Sequence, residues 1–289
     1  MTNTAPSGPT PTRTPVSWAD LVPRLISGGI IVVVIGTVLT LGGVVFAIAV
    51  AIVFALIYRE WDQMVTLAPV APFGMGLMAL VAISAVAFPF IGWSGTALCI
   101  AAAALASLAV GRLNWNSWWR AGGLVFFGLV IVALLAMRGD TLAGAIAGWF
   151  LGIVISWNDT GAYFTGRLIG GEKLVPAISP AKTWSGAIGG WVIGTLGGTV
   201  FWLIFVPGSP WYIGLILAGL LGIVGQGGDL TESWIKRRFR IKDSGDIIPG
   251  HGGLMDRLDS TTFGALFLFA VGFIHGGGIT AVASGFLNW

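Results

Sequence analysis

The chain has 289 residues, of which 56% are hydrophobic and only 9% charged, with a formal net charge of +3. Soluble domains carry about 25% charged residues, so the composition argues against a soluble enzyme, and continuous rather than alternating apolar runs argue against a transmembrane β-barrel. Gly (45 residues) and Trp (14) are abundant, as they are in membrane helices and at membrane interfaces. The expected fold class is an all-α, polytopic integral membrane protein.

In chain order, residues 1–20 are rich in Pro, Thr and Ser and read as a disordered cytoplasmic tail. Residues 21–289 read as a single transmembrane domain. A spanning helix needs about 20 apolar residues, which predicts spans near 24–41, 43–59, 70–90, 95–111, 121–137, 141–157, 185–206, 211–228 and 260–285, about nine in all. The first two are split at Gly42-Gly43, the third and fourth at "FIGWSG". With the N-terminus inside, Arg138 alone of the 15 Lys and Arg residues falls outside, as the positive-inside rule requires. The topology is therefore N-in and C-out. It leaves two long cytoplasmic loops, between helices 6 and 7 and between helices 8 and 9. The segment 157–260 contains both. Cys99, in an apolar run, has no cysteine partner and reads as a small core residue.

The second loop concentrates charge. Asp256 and Asp259 are spaced i, i+3, on one helix face. Two such carboxylates repel unless a cation bridges them, and Mg2+ suits one or two carboxylates plus substrate phosphates. Asp229, at a similar depth, is a third candidate ligand if its helix packs alongside. The same acids could instead serve as helix-end caps facing water. Lys236, Arg237, Arg238, Arg240 and Lys242 can anchor to anionic headgroups or bind phosphate, or both. Gly252-Gly253 leads into a helix, where backbone N–H groups can approach a phosphate, and His251 can donate to the same anion. Asp246 has no evident role.

In the first loop, Ser179 is expected to cap a helix with Pro180 at its first position, so that Lys182 and Thr183 sit in the first turn. Asp159 falls at the end of span six. The glycines around it favour helix packing. No G-x-x-x-x-G-K-[ST] loop is present, and "GQGGD" (225–229) follows no strand, so a dinucleotide motif is rejected. His275 reads as structural.

Two stretches resemble the phosphatidate cytidylyltransferase (CDP-diacylglycerol synthase) family. One is Ser233-x-Ile235-Lys236-Arg237, four residues, Lys242-Asp243-x-Gly245, then Pro249-x-His251-Gly252-Gly253-x-x-Asp256-Arg257-x-Asp259. The other is Asp159-x-x-Ala162-Tyr163-x-x-Gly166 with Ser179-Pro180-x-Lys182-Thr183-x-x-Gly186. In the N-terminal half only Arg59-Glu60-Trp61 offers an echo. One departure is Ser185, which stands where many members carry an acid.

The resemblance implies a nucleotidyltransferase. CTP and phosphatidic acid would give CDP-diacylglycerol and pyrophosphate for phospholipid biosynthesis. It implies Mg2+ on Asp229, Asp256 and Asp259, with a second cation left open, and Lys242 and His251 as further catalytic residues. Phosphate contacts would come from Ser179, Lys182, Thr183, Lys236, Arg237, Arg257, Gly252, Gly253 and Asp159. The site would face the cytoplasm of a bacterial-type inner membrane. The lipid bilayer is an expected partner and nucleic acid is not. The family tends to be dimeric, which the Gly-rich spans would allow. A CTP-dependent lipid-alcohol kinase and a transporter are the competing readings. Charge confined to helix ends argues against the latter.

Overall fold

A computed structural model describes residues 33–245 and 252–289. The N-terminal tail, half of the expected first span, Asp246 and His251 lie outside the described residues. The chain divides after Thr37. The described residues of the first unit, 33–37, are helical, with Thr37 Oγ1 donating to the Val33 carbonyl at 2.8 Å. The second unit, Val38–Trp289, holds everything that follows.

Seven helices among the described residues are long and apolar enough to cross a membrane. They are α1 (Gly43–Thr66), α2 (Pro72–Val110), α3 (Trp115–Arg138), α4 (Leu142–Leu168), α5 (Trp184–Phe205), α6 (Trp211–Arg238) and α7 (Met255–Gly276). A short hairpin, β1 (Lys173–Val175) and β2 (Ser179–Thr183), precedes α5, and a short helix α8 (Val282–Leu287) closes the chain. Side chains such as Ile83, Leu98, Leu196, Leu203 and Ile223 are exposed along these helices, as expected of surfaces that face lipid. The chain is an integral membrane protein.

The 39-residue α2 is two crossings, not one. Gly92 has φ 66° and ψ −173°, outside the helical region, and Pro89 lies just before it. Thr96 Oγ1 donates to the Ser84 carbonyl at 3.1 Å. Twelve residues along a straight helix would separate those groups by about 18 Å, so the chain folds back at Gly92. The predicted split at "FIGWSG" is therefore found, and glycine supplies the positive φ that the turn needs.

Three predicted boundaries move, each for a physical reason. First, α4 and α6 run past their apolar stretches, to Leu168 and Arg238. The end of α6 is rich in good helix formers such as Leu, Glu, Lys and Arg, whereas the Gly- and Thr-rich end of α4 is held helical by close packing on α5, with Gly161 against Ile193 and Gly166 against Gly186. Asp159 thus lies inside α4, and Asp229 through Arg237 lie on α6. Second, Ser179 does not cap a helix. Residues Ser179–Thr183 pair with β1 (Lys173↔Thr183, Val175↔Ser179), which satisfies their backbone groups as a strand. The helix starts at Trp184, capped by Thr183, whose Oγ1 accepts from Gly186 N at 3.1 Å. Third, the last span begins earlier and ends at Gly276, where Gly277 turns with φ 74°. Beyond it α8 folds back, placing Phe286 against Phe150 and Trp202.

Two aromatic clusters bind the helices together. Phe54 and Trp61 of α1 meet Phe127 of α3, and Trp61 also packs on Trp119. Phe150 of α4 meets Trp202 of α5 and Phe286. Close approach of α4 and α5 depends on a small-residue stripe. A Cβ on Gly190 would lie 2.5 Å from the Asn158 carbonyl, and one on Gly194 2.9 Å from that of Val154.

Candidate active site

Both charged loops arrive at the same end of the bundle, where α1, α4 and α6 finish and α3, α5 and α7 begin. The hairpin hangs from α5, and Ser185 ties it down. Its Oγ donates to the Gly170 carbonyl and lies 3.1 Å from Thr183 Oγ1. Ser185, the departure noted in the sequence, thus makes a tethering contact.

A cavity of about 430 Å³ opens between α4, the hairpin, α5 and α6. Asp159, Tyr163, Arg167, Lys182, Thr183, Gln226 and Asp229 line it. Lys182 pairs with Asp229, which joins the hairpin to α6. The floor is polar and fully connected. Gln226 Nε2 donates to Asn158 Oδ1 and to the Ala187 carbonyl, each at 2.9 Å. Asn158 Nδ2 donates to the Gly222 carbonyl at 2.9 Å. Such a network fixes α4, α5 and α6 relative to one another.

A second cavity, of about 280 Å³, lies on the other side of α6. Trp61, Trp119, Phe126, Phe127 and Phe263 give it apolar walls, and Glu232 and Asp259 give it an acidic end. The helices α6 and α7 touch beside that end, since a Cβ on Gly228 would stand 3.0 Å from the Asp259 carbonyl. Asp229 on α6 has like-charged neighbours on both sides, Asp159 on α4 and Asp259 on α7.

Asp256 is the most heavily engaged acid. Its Oδ1 accepts from Lys236 Nζ at 2.5 Å. Its Oδ2 accepts from Ser244 N, Ser244 Oγ and Gly253 N, each at 3.0 Å. Asp256 therefore pins the loop before α7 to the end of α6. Lys236 also reaches Glu232 at 3.3 Å. Asp259 Oδ1 accepts from Ser260 N at 2.6 Å.

The other predicted residues are placed as follows. Arg237 is exposed and donates to the Ile241 carbonyl at 2.8 Å, closing the end of α6. Lys242 and Arg257 are exposed at the same end, and Ser179 is half-buried in β2. Gly252 has φ 79°, and a Cβ there would meet Asp256 Oδ2 at 3.2 Å. A Cβ on Gly253 would lie only 1.9 Å from Ser244 Oγ.

Among the described residues, no group of three or more His, Cys, Asp or Glu side chains is arranged to hold a metal by itself. The donors still suit a hard cation completed by phosphate oxygens. Asp229 and Asp259 are carboxylates from facing helices. The nearby Glu232 carboxylate is buried. Lys236 reaches its Oε1 at 3.3 Å, while its Oε2 has no hydrogen-bond partner, a deficit that a cation would relieve.

Sequence reasoning missed several of these residues. Asn158, Gln226, Glu232 and Ser244 lie within or beside the motifs but carry no signal of their own. Glu60 and Asp62 are fully buried, and Asp62 accepts from Arg120 Nε at 2.6 Å. Their signal was the appearance of acids at the end of an apolar helix, where burial demands a partner.

Fold and site together define a polytopic helical membrane protein with a polar, charge-lined centre at one end of its bundle. Residues 22–275 match the sequence model described as the cytidylyltransferase family, and the chain belongs to that family. Proteins named phosphatidate cytidylyltransferase are similar to it. The Brucella suis protein is 46% identical over 164 residues, 56% of this chain and 60% of that protein. The Bacillus subtilis protein is 46% identical over 121 residues, covering 42% and 45% of the two chains. The Helicobacter pylori protein is 42% identical over 144 residues, covering 50% and 53%. The matches thus span about half to three-fifths of the relatives' length.

Proposed function

We propose that this protein transfers the cytidylyl group of CTP to phosphatidic acid, giving CDP-diacylglycerol and pyrophosphate. The observation that carries the reading is the meeting of the two motif loops. Lys182 on Asp229, and Lys236 on Asp256, place two cations and their carboxylates around α6. A triphosphate entering there offers each lysine a more highly charged acceptor.

The reaction forms a bond between a phosphatidate oxygen and the α-phosphorus of CTP and breaks the bond from that phosphorus to the β-phosphate oxygen. The electron pair leaves with pyrophosphate. Positioning and charge neutralisation dominate such transfers. The phosphatidate monoester is anionic near neutral pH, so the reading assigns no strong base. Lys182, Thr183 and Ser179 would hold the triphosphate from the hairpin side. Lys236, Arg237, Lys242 and Arg257, with the Gly252-Gly253 turn and His251, would hold phosphates from the other. Asp159 lines the same cavity and would orient Lys182. Asp229 and Asp259 would hold Mg2+, joined by Asp256 once Lys236 turns to phosphate. Such a cation supplies charge neutralisation and orientation for the triphosphate. A second cation beside Glu232 belongs to the same reading.

Location follows from the substrates. CTP is water-soluble and phosphatidate stays in the bilayer, so a site at the helix ends admits both. The reading puts this end on the cytoplasmic side of a bacterial inner membrane and includes a homodimer. Thiol labelling from either side of oriented vesicles and detergent-corrected mass measurement test those two points.

The deciding experiment supplies purified protein with CTP, Mg2+ and phosphatidate. CDP-diacylglycerol and pyrophosphate should form in equal amounts. Release of CDP, or no lipid-linked cytidylyl product, would overturn the assignment.

A further inference from the structure

We propose that Glu60, on α1, is a positioning residue for the reaction, acting through the first turn of α7. The inference rests on the cytidylyltransferase reading of the site.

Glu60 is fully buried, yet it lines neither cavity. Among the described residues, the hydrogen bonds of its carboxylate go to the segment that carries the site. Oε1 accepts from Leu254 N at 2.9 Å, and Oε2 accepts from Met255 N at 2.8 Å. Ser244 Oγ lies 3.1 Å from Oε2 and 3.0 Å from Asp256 Oδ2. Its one hydroxyl proton therefore serves a carboxylate on either side.

Two further observations explain why a carboxylate from so distant a helix is needed. The N-cap of α7 is Leu254, which has no side chain able to cap, and no side-chain cap hydrogen bond is present. The first amides of a helix lack intrahelical partners and carry the positive end of its dipole. Glu60 supplies both the acceptors and the negative charge. The loop is also shaped around this carboxylate. A Cβ on Gly245 would fall 2.8 Å from Glu60 Oε1, and one on Gly253 would fall 2.7 Å from Oε2. Both glycines leave room for the carboxylate, and Gly253 N in turn donates to Asp256 at 3.0 Å.

Glu60 thus fixes where α7 begins. Asp256 sits in that first turn and Asp259 at the start of the next, and their distance from Asp229 depends on where the helix begins. A misplacement of about 1 Å in such a constellation can cost a hundredfold in rate. Substrate itself never meets Glu60.

The test uses full-length protein and the variants Glu60→Gln and Glu60→Asp. Gln keeps the shape but turns an NH2 toward backbone donors, whereas Asp keeps the charge with a shorter reach. Glu60→Gln should lower kcat about 100-fold, with KM for CTP and for phosphatidate changed less than about threefold. Glu60→Asp should recover part of that loss. Amide exchange at Leu254 and Met255 should rise at least about tenfold in Glu60→Gln, while Gly186, capped independently by Thr183, stays protected.

Exchange needs no turnover, so it separates the two claims. An inactive wild type would remove the cytidylyltransferase reading, while faster exchange would still support the role of Glu60 at α7. Normal kcat with unchanged exchange in Glu60→Gln would overturn the proposal. So would a loss seen only as raised KM, or one matched by equal loosening at Gly186. If Glu60→Gln does not accumulate, Glu60→Asp and Ser244→Ala decide. A fall in kcat of at least about fivefold with faster exchange confined to α7 supports the role, and wild-type behaviour of both variants refutes it.

Discussion

Gly253→Ala gives the sharpest test of how the loop before α7 is built. A Cβ at this position would lie 1.9 Å from Ser244 Oγ, 2.7 Å from Glu60 Oε2 and 2.9 Å from Gly245 N. Carbon and oxygen meet comfortably at about 3.3–3.6 Å, so Ser244 Oγ must withdraw by more than about 1 Å. That movement breaks its contacts with both Asp256 and Glu60. Overpacking costs about 1–3 kcal/mol, and a lost hydrogen bond to a charged group adds about 1.5–3 kcal/mol. The expected destabilisation is therefore about 2.5–6 kcal/mol, read as a lowered unfolding midpoint in detergent. Turnover should fall at least about a hundredfold, because Asp256 and Asp259 move with the loop. Adding Ser244→Gly removes the worst collision and should restore much of the midpoint. It should not restore turnover, since Asp256 then lacks the serine hydroxyl. Gly252→Ala is the control. Its Cβ would meet only Asp256 Oδ2, at 3.2 Å, although φ is 79°, so left-handed strain of about 1–2 kcal/mol dominates. Wild-type stability and turnover in Gly253→Ala, or a larger loss in Gly252→Ala, would refute this account.

The other predictions concern separate parts of the molecule. Asp229→Asn should reduce product formation at least about a hundredfold, and Lys182→Met should raise KM for CTP about tenfold, measured by steady-state kinetics. Arg120→Met leaves the fully buried Asp62 carboxylate without its partner. It should lower stability by about 3–5 kcal/mol in a denaturation series, and the double change with Asp62→Asn should cost less. Gly190→Ala drives a methyl into the Asn158 carbonyl at 2.5 Å, so α4 and α5 must part, with about 1–3 kcal/mol lost and the cavity floor loosened. Chelation of divalent metal should stop turnover, and Mg2+ should restore it.

The bundle was legible in the sequence because lipid imposes a coarse rule. Apolar runs of crossing length must become helices, and even the turn inside α2 announced itself through the stretch "FIGWSG". Helix ends were not legible in the same way. Hydropathy marks where lipid stops, and α4 and α6 continue beyond that point for roughly another two to three turns. Those extra turns carry Asp159 and the run from Asp229 to Arg237, so the site lies on rigid helices where loops were expected. Ser179-Pro180 is locally a good helix start, but its backbone groups found strand partners in β1. Local propensity yielded there to tertiary pairing.

The candidate site divides along the same line. Residues whose chemistry shows in their type and spacing, such as Asp256, Asp259 and Lys236, are brought together at one helix junction. Residues that tie the surrounding helices together pair across long stretches of sequence. Glu60 reaches Met255 across 195 positions, and Asp62 reaches Arg120 across 58. No spacing rule connects such pairs. What betrays them is cost. A carboxylate at the end of an apolar helix is expensive to bury and must be paired. In a membrane protein this poor in charge, each acid near a helix end therefore implies a specific donor elsewhere. For Glu60 and Asp62 the donors lie at the starts of α7 and α3. Through Glu60 the half of the chain without recognisable motifs thus reaches the half that has them.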